Sequence, residues 1–380
     1  MPRTVTSAVV TGLVALTALS ACSSGSKAST SAGTSSPATT AVATGATRPT
    51  NAGKDPLSQS NIDSILASYS GEDSTFPKAF GNPQKAPLKI GWSAARNANE
   101  LNARLGVAIQ KAVAAMGGSF TSLDANGDVT TQVQQIQQLI NENVNAILVW
   151  PLDANSLNAV FAEAKSKGIP VIAVSVTENG SSIGNATAQI VYGADANAYL
   201  EAKVMSEILP PGAQVATEQF TVAVPYIVYY VQRLAYWAKQ DGLNVVANIS
   251  NPSDDVPGGE QAAGPLLQKY PDLKGLLPYN DESALGAGAA AQIVGRKLTL
   301  FGTNGEDEGI AGIKAGKYLL TIQPPIATWA KDMVAAAYLA KAGQTIPKTV
   351  YPGVGYVITA DNVSQAQTLL QRIDAANYSS

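Results

Sequence analysis

The stretch that decides the fold runs from Ala146 to Val174 and reads AILVWPLDANSLNAVFAEAKSKGIPVIAV. It opens with a continuous apolar run, which is typical of a central strand in a parallel sheet. Between Leu157 and Ala164, apolar residues recur at the spacing of one helix face. A Gly-Ile-Pro turn then leads into a second apolar run, which starts at Val171. The stretch therefore predicts a β-α-β unit.

The alternation of strand and helix continues on both sides of this unit. Upstream, Leu88–Trp92 and Phe120–Leu123 read as strands, each followed by an apolar helical periodicity, and the pattern restarts after about Gly193. The strands predicted there are Gln214–Phe220, Val245–Ile249, Gly275–Tyr279, Leu298–Phe301 and Leu319–Ile322, and the helices are Tyr229–Lys239, Glu260–Lys269, Ala284–Val294, Ile310–Ala315 and Thr328–Lys341. Two such patterns predict an α/β fold of two doubly wound, Rossmann-like lobes with parallel sheets. A ligand is expected in the cleft between the carboxyl ends of their strands.

The residue types that are missing exclude several classes of chemistry. The 380-residue chain has no histidine, and its one cysteine is Cys22. Histidine-based triads, histidine-ligated zinc sites, internal disulfides and thiolate metal clusters are therefore excluded. A formal net charge of −3 gives no electrostatic footprint for nucleic acid. We expect no metal, no cofactor, no nucleic-acid partner and no enzymatic activity.

The N-terminus, Met1 to Cys22, has the features of a targeting signal. Arg3 supplies a positive start, and Ala8–Leu19 is an uncharged, mostly apolar stretch that is too short to span a bilayer. The following Ser-Ala-Cys resembles the bacterial lipobox, and this resemblance implies that Cys22 becomes the lipid-modified first residue. The alternative is a plain secretory signal with an incidental cysteine. The lipobox interpretation predicts a lipid anchor at the extracytoplasmic face of the cytoplasmic membrane.

Two segments separate this signal from the α/β pattern. Residues 23–55 are rich in Ser, Thr, Ala and Gly. This composition has too little apolar surface to offset the entropy of ordering, so it predicts a flexible tether. Residues 56–87 are an N-terminal extension with one predicted short helix, Ile62–Tyr69, and no functional interpretation.

Five phrases of the globular part match one family. They are Lys89-Ile-Gly-Trp-Ser93, Ala146-Ile-Leu-Val-Trp-Pro-Leu-Asp153, Gly168-Ile-Pro-Val-Ile172, Tyr279-Asn-Asp-Glu-Ser-Ala-Leu-Gly286 and Phe301-Gly-Thr-Asn304. Their order and spacing resemble the type I periplasmic binding proteins, in the ribose-like sugar-binding branch. The resemblance implies three crossings between the lobes, near Gly193, Pro324 and Pro352. It places residues 88–193 and 325–352 in the first lobe and residues 194–324 and 353–380 in the second.

The resemblance also implies a function. It predicts the substrate-binding protein of an ABC importer, a monomer that closes at its hinge around a small polar ligand, with a sugar or polyol favoured, and then meets the membrane subunits of the transporter. One alternative is a receptor that presents its ligand to a membrane sensor. Another is a secreted carbohydrate-active enzyme with paired carboxylates, but no such pair is recognisable in the sequence.

The loop after the first strand supplies the first candidate ligand residues. By their position in the family these are Ser93, Arg96, Asn97, Asn99 and Glu100. Their polar side chains suit a ligand rich in hydroxyl groups, because most of them donate or accept hydrogen bonds in a fixed geometry. The alternative is that Asn97 or Asn99 caps the helix that starts near Glu100.

Three further candidates follow later in the first lobe and on the second. Trp150, at a strand end, is placed to stack on a sugar ring or else to pack on the next helix. Ser175 and Val176 stand where ribose-type relatives carry an acidic residue and an arginine, which argues against ribose itself. Arg233 matches a ligand-binding arginine in the family, with a solvated helix-face charge as the alternative.

The remaining candidates follow strands of the second lobe. Asn280 matches the contact asparagine of the family and is also placed to cap a helix. Asn304 stands where many relatives have aspartate, and Gln323 is close to a hinge glutamine. The acidic run Glu306–Glu308 is interpreted as a solvated first helix turn, since no calcium-loop spacing is present.

Overall fold

The structure, a computed structural model, describes residues 55–174 and 184–379. The helices are α1 (Gln59–Ser68), α2 (Glu100–Ala115), α3 (Val129–Asn141), α4 (Ala154–Ser166), α5 (Ala194–Ile208), α6 (Pro225–Gln240), α7 (Val256–Lys269), α8 (Asp281–Ile293), α9 (Asp307–Lys314), α10 (Ile326–Lys341) and α11 (Leu369–Ala375). The strands are β1 (Lys89–Ala94), β2 (Ser119–Asp124), β3 (Ala146–Val149), β4 (Val171–Val174), β5 (Ala188–Ile190), β6 (Gln214–Phe220), β7 (Asn244–Asn251), β8 (Gly275–Leu277), β9 (Thr299–Thr303), β10 (Leu320–Gln323), β11 (Thr349–Val350) and β12 (Tyr356–Thr359). None of the helices in these two ranges has both the length and the apolar character that crossing a membrane requires.

The described strands form two six-stranded sheets with the same winding. The first has the order β11-β5-β4-β3-β1-β2, and the second has the order β12-β10-β9-β8-β6-β7. Among these strands each pairing is parallel apart from β10 with β12. The central strands β3 and β4 are buried along their whole length, as their continuous apolar runs predict. The predicted fold class is confirmed.

Short polar side chains start the helices that follow the strands. Asn99, Asp128, Asp153, Asp255 and Asn280 each accept a hydrogen bond from a backbone N–H in the first turn of α2, α3, α4, α7 and α8, respectively. Such caps satisfy N–H groups that have no partner within the helix. Each of these helices starts where a strand has just ended. The caps therefore lie at the carboxyl ends of the strands, which is where open α/β sheets bind ligands.

Three crossings join the sheets within the described chain. They fall between β5 and α5, between β10 and α10, and between β11 and β12. At the first crossing, Gly193 has a φ of +66°, and a Cβ there would lie 2.7 Å from the Tyr351 ring of the third. Glycine is required at this position by both the backbone conformation and the close approach.

The two ends of the described chain pack on the lobes. The extension forms α1, close to the predicted helix Ile62–Tyr69, and α1 packs against α5. At the other end, α11 packs against α2 and α10 of the first lobe, with an ion pair of 2.7 Å between Lys111 and Asp374. The family-based boundary placed residues 353–380 in the second lobe. The structure corrects it for α11, because the apolar face of this helix is buried on the first lobe.

Candidate ligand-binding site

A cavity of about 50 Å³ lies between the two sheets, at the carboxyl ends of their strands. Its walls come from the loops after β1 and β3 in one lobe and after β6 to β9 in the other. The lining residues are Ala95, Arg96, Asn99, Leu101, Asn102, Trp150, Leu152, Phe220, Val224, Tyr226, Ile227, Asp254, Tyr279, Asn280 and Asn304. In both sheets the winding direction reverses between the first and third strands, which is the switch point where open α/β sheets bind ligands.

Trp150 forms part of the cavity wall of the first lobe. It follows β3 directly, and its backbone N–H donates to Ser93 O at 3.2 Å. The buried Gln132 amide holds the loop, since Nε2 donates to Trp150 O and Oε1 accepts from Leu152 N, both at 2.8 Å. The indole packs edge-on against Trp329, with 6.4 Å between ring centroids. Trp150 is therefore fixed before any ligand arrives.

Polar groups of the second lobe form the opposite wall around Asp254. Asn280 caps α8 by accepting from Ser283 N at 2.9 Å, and its Nδ2 donates to Asp254 Oδ1 at 3.0 Å. Tyr279 OH donates to the same oxygen at 2.7 Å, and Arg96 Nη1 reaches from the first lobe to 3.8 Å from Asp254 Oδ2. Burial raises the pKa of Asp254 to about 6, although the Tyr279 hydrogen bond and the Arg96 charge act to lower it. This wall offers both donors and acceptors to hydroxyl groups.

Glu306 connects the two lobes beside the cavity. Its Oε1 accepts from Asn99 Nδ2 and Leu101 N of the first lobe, both at 3.2 Å, and from Asn304 Nδ2 at 3.4 Å. Burial, with the nearby charge of Glu282, raises the pKa of Glu306 well above its usual range. The interpretation of Glu306 as a solvated helix turn was wrong, because its side chain is buried at the lobe interface. Across the described ranges, no group of three or more acidic, histidine or cysteine side chains is placed to hold a metal ion.

The lobes touch directly at the rim of the cavity. Arg96 donates to Ser253 O, and Glu100 Oε2 accepts from Asp307 N at 2.9 Å. The cavity of about 50 Å³ is far below the roughly 300–1,000 Å³ of ordinary small-molecule pockets. A ligand the size of a sugar therefore requires the lobes to stand further apart, which rotation at the crossings would allow.

Five of the predicted site residues come together at the cavity: Arg96, Asn99, Trp150, Asn280 and Asn304. The capping alternative also holds for Asn99 and Asn280, since both start a helix. Asn304 has a φ of +109°, outside the regions that residues other than glycine favour. Such conformations concentrate at functional sites, and this one turns the chain into the cavity at the end of β9.

Two candidates from the first loop lie away from the cavity. Ser93 is fully buried in β1 and its Oγ donates to Gln135 Oε1 at 3.0 Å, towards α3. The backbone N–H of Asn97 donates to Asp124 Oδ1 at 3.1 Å. Residues alternate sides along a strand, which turns Ser93 away from the cleft.

Two further candidates have structural partners instead. Glu100 pairs with Arg104 one helical turn later at 3.1 Å and lies at the rim, outside the cavity. Gln323 is fully buried at the second crossing, where its Nε2 donates to Gly305 O at 2.8 Å. Gln323 therefore supports the hinge backbone. Ser175 and Cys22 lie outside the described residues.

Arg233 is the clearest correction. Its guanidinium pairs with Asp195 and lies over the rings of Tyr236 and Trp237, at 4.2 and 5.2 Å from their centroids. It lies two turns into α6, whereas the cavity is at the start of that helix. Arg233 is therefore neither a ligand contact nor a free solvated charge: it is a partly exposed side chain paired with the buried Asp195.

Among the polar and aromatic residues of the cavity wall, sequence reasoning missed four: Asn102, Phe220, Tyr226 and Asp254. Phe220 ends β6 and Asp254 follows β7, so the rule that found Trp150 would also have found them. The missed signal was the true end of β7, which extends two residues past the predicted Ile249.

Comparisons with known proteins agree with this geometry. The model of the periplasmic binding protein domain matches residues 90–345, which is more than half of the chain. The ribose import binding protein of Bacillus subtilis is 24% identical over 298 residues, which cover 75% of this chain and 92% of the relative. The xylitol-binding protein of Mycolicibacterium smegmatis is 28% identical over 263 residues, which cover 64% of this chain and 69% of the relative.

A solved structure shows the same architecture. The ABC transporter solute-binding protein from Mycobacterium smegmatis with bound glycerol superposes with a TM-score of 0.65 and 25% identity. The match covers 75% of this chain and 99% of that one. The family model begins at residue 90 and matches strands of both sheets, so residues 55–87 lie outside it.

Proposed function

Since the chain belongs to the periplasmic binding protein family, we propose that it is the substrate-binding component of an ABC importer for a sugar or polyol. The observation that carries the proposal is the cavity at the two facing switch points, where Asn280, Asp254 and Arg96 converge opposite Trp150. The relatives whose names state sugar and polyol ligands support the same ligand class. The family consists of solute-binding proteins, and we expect no turnover.

The side chains of the cavity suit a hydroxyl-rich ligand in two ways. Amide and carboxylate groups supply donors and acceptors for hydroxyls, and they are already held by helix caps and by each other. The faces of Trp150, Phe220 and Tyr226 supply apolar surface for the C–H side of a ring or chain. A Kd near 1 μM corresponds to about −8 kcal/mol, which a few buried hydrogen bonds and one ring contact can supply.

Capture would proceed by rotation at the three crossings. An open form admits the ligand, and partial closure then brings Arg96 and Asn99 of one lobe towards Asp254 and Glu306 of the other, with the ligand between them. We further propose that Cys22 carries a lipid that anchors the monomer at the extracytoplasmic face of the membrane. The closed form would then be recognised by the membrane subunits of the importer.

A thermal-shift screen tests the ligand class. The chain from residue 23 is melted with sugars, polyols, amino acids and small signalling molecules, and a ligand at a hundredfold excess over its Kd adds about 2.7 kcal/mol of stability. The expected result is a shift with a sugar or polyol that Trp150→Ala roughly halves, to about 1.4 kcal/mol, and that the control Tyr270→Phe retains. No shift with any carbohydrate or polyol, alongside a shift with another class, would overturn the assignment.

A labelling experiment tests the anchor. Cells that express the full chain are grown with a radiolabelled fatty acid, and we expect label in the membrane-bound protein. Cys22→Ser should abolish both the label and the membrane attachment. A labelled Cys22→Ser protein, or an unlabelled wild-type protein in the medium, would contradict the anchor.

A further inference from the structure

The N-terminal extension, residues 55–87, is attached to the second lobe at α1. Asn61 Nδ2 donates to Glu207 Oε2 at 2.6 Å, and Ser68 Oγ lies 3.0 Å from Tyr199 OH. Ile62 is fully buried in the main core cluster. Both Glu207 and Tyr199 belong to α5, which packs on α6 and β8 of the second sheet. The first part of the extension is therefore fixed to the second lobe.

The middle of the extension contacts two of the three crossings. Tyr69 OH bonds to Asp195 Oδ2 at 2.9 Å, and the fully buried Asp73 faces the backbone N–H of Ala196, just after the first crossing. At the third crossing, the backbone N–H of Tyr351 donates to Pro77 O at 2.9 Å. Lys78 Nζ lies 4.3 Å from the centroid of the Tyr351 ring. Tyr69 and Asp73 thus contact the first crossing, and Pro77 and Lys78 contact the third.

The last part of the extension is attached to the first lobe. The backbone N–H of Phe80 faces Asp332 of α10, and Tyr338 OH on the same helix donates to Ala86 O at 3.1 Å. Ala86 N donates to Met116 O, at the end of α2, also at 3.1 Å. The chain then enters β1 of the first sheet. Within the described residues the extension therefore connects the second lobe to the first across the hinge.

We propose that residues 55–87 are a brace, a fourth connection that restrains the hinge and favours the closed arrangement of the lobes. In this structure the brace contacts both lobes, and Arg96, Asn99 and Glu306 hold the lobes together at the same time. Rotation at the crossings must therefore break or strain either the brace contacts or the contacts between the lobes. Arg233 has a positioning role in the brace. It pairs with the Asp195 carboxylate, which accepts the hydrogen bond from Tyr69 OH.

The effect of the brace on ligand affinity rests on the proposed function. Because the closed arrangement leaves a cavity of only about 50 Å³ and a sugar needs the lobes further apart, a brace that favours this arrangement lowers the apparent affinity, and weakening the brace should raise it. Couplings of this kind change affinity by about fivefold or more. The brace lies outside the residues that match the family, so it distinguishes this chain from a protein made of the two lobes alone.

The test measures the hinge directly and needs no ligand. In the full chain with Cys22→Ser, cysteines at the exposed Gln138 of α3 and Gln268 of α7 carry spin labels, and the label-to-label distance is read by electron paramagnetic resonance. A protease site replaces residues 82–85, which are largely exposed, and Gly81 is kept because its φ of +100° disfavours other residues. On cleavage we expect the mean distance to lengthen and the distribution to broaden, relative to the same protein before digestion.

A point variant separates the brace from general loosening. Tyr69→Phe removes the hydroxyl bonds of the brace, while the control Tyr270→Phe removes a bond of 3.0 Å to Val246 O within the second lobe. The first should widen the distance distribution and the second should not. Unchanged distances after both cleavage and Tyr69→Phe, in folded protein, would overturn the brace. The distances are measured without a ligand, so they test the brace even when the ligand screen finds nothing. Failure of the brace and failure of the proposed function are therefore distinguishable.

Discussion

Glu218 of β6 is a buried carboxyl group whose replacement should stabilise the protein in a pH-dependent way. It lies on the same face of the strand as Ala216, which packs into the core of the second lobe. The side chain is fully buried, and neither carboxyl oxygen has a hydrogen-bond partner among the described residues. Desolvation by burial raises the pKa of Glu218 well above its usual range. The change to make is Glu218→Gln, which keeps the shape and removes the ionisation.

The sign of the effect follows from proton binding. The unfolded chain releases this proton near pH 4.3, whereas the folded chain retains it to a higher pH. Between these values the unfolded state binds fewer protons, so folding stability falls as pH rises and levels off above the folded pKa. Each unit of pKa difference is worth about 1.4 kcal/mol. We expect the free energy of unfolding of Glu218→Gln to match the wild type near pH 4.5 and to exceed it by at least about 1 kcal/mol at pH 8.

Urea denaturation at pH 4.5, 6 and 8 measures this difference. Subtracting the wild type from the variant at each pH cancels the other buried carboxyl groups, such as Glu201, whose pKa burial raises to about 8. Glu163→Gln is the matched control, because Glu163 forms a partly exposed ion pair with Lys167 and should give no such gain. A variant-minus-wild-type difference that does not grow with pH would refute the reasoning.

Three further predictions concern the site and the hinge. Trp150→Ala should weaken ligand binding about tenfold, because a ring contact contributes up to about 1.5 kcal/mol, and calorimetry with the ligand from the thermal screen checks this. Gln132→Ala leaves two backbone groups beside Trp150 without their partner, so the melting curve should show a loss of about 1–3 kcal/mol together with weaker binding. Gly193→Ala should cost at least about 1–2 kcal/mol in urea denaturation, since the residue has a φ of +66° and its Cβ would meet the Tyr351 ring; unchanged stability would contradict the described turn.

The sequence pattern predicted the fold well because the information is local. The buried runs at β3 and β4, with a helical periodicity between them, specify a parallel β-α-β unit without reference to the rest of the chain. Where a strand end was placed correctly, as before Trp150 and Asn280, the rule that ligands bind at carboxyl ends found the cavity residue.

The failures have equally local causes. Arg233 was assigned from its position on α6, but it lies eight residues after Pro225, or about 12 Å along the helix at 1.5 Å per residue. Asp254 was missed because β7 continues to Asn251. The extension could not be interpreted, because its contacts join residues more than 100 positions apart, as Tyr69 and Asp195 do, and no short pattern encodes them.

The capping asparagines serve both helix stability and the ligand site, and this limits the substitutions that the site can accept. Asn99 and Asn280 hold the first turns of α2 and α8 and also face the cavity. Replacing either one to suit a new ligand would weaken a helix at the same time, so selection for stability would retain them. Phe220 and Tyr226 line the same cavity without capping a helix, since the N-cap of α6 is Val224. Evolution or engineering towards another ligand therefore has its freest positions on the aromatic side.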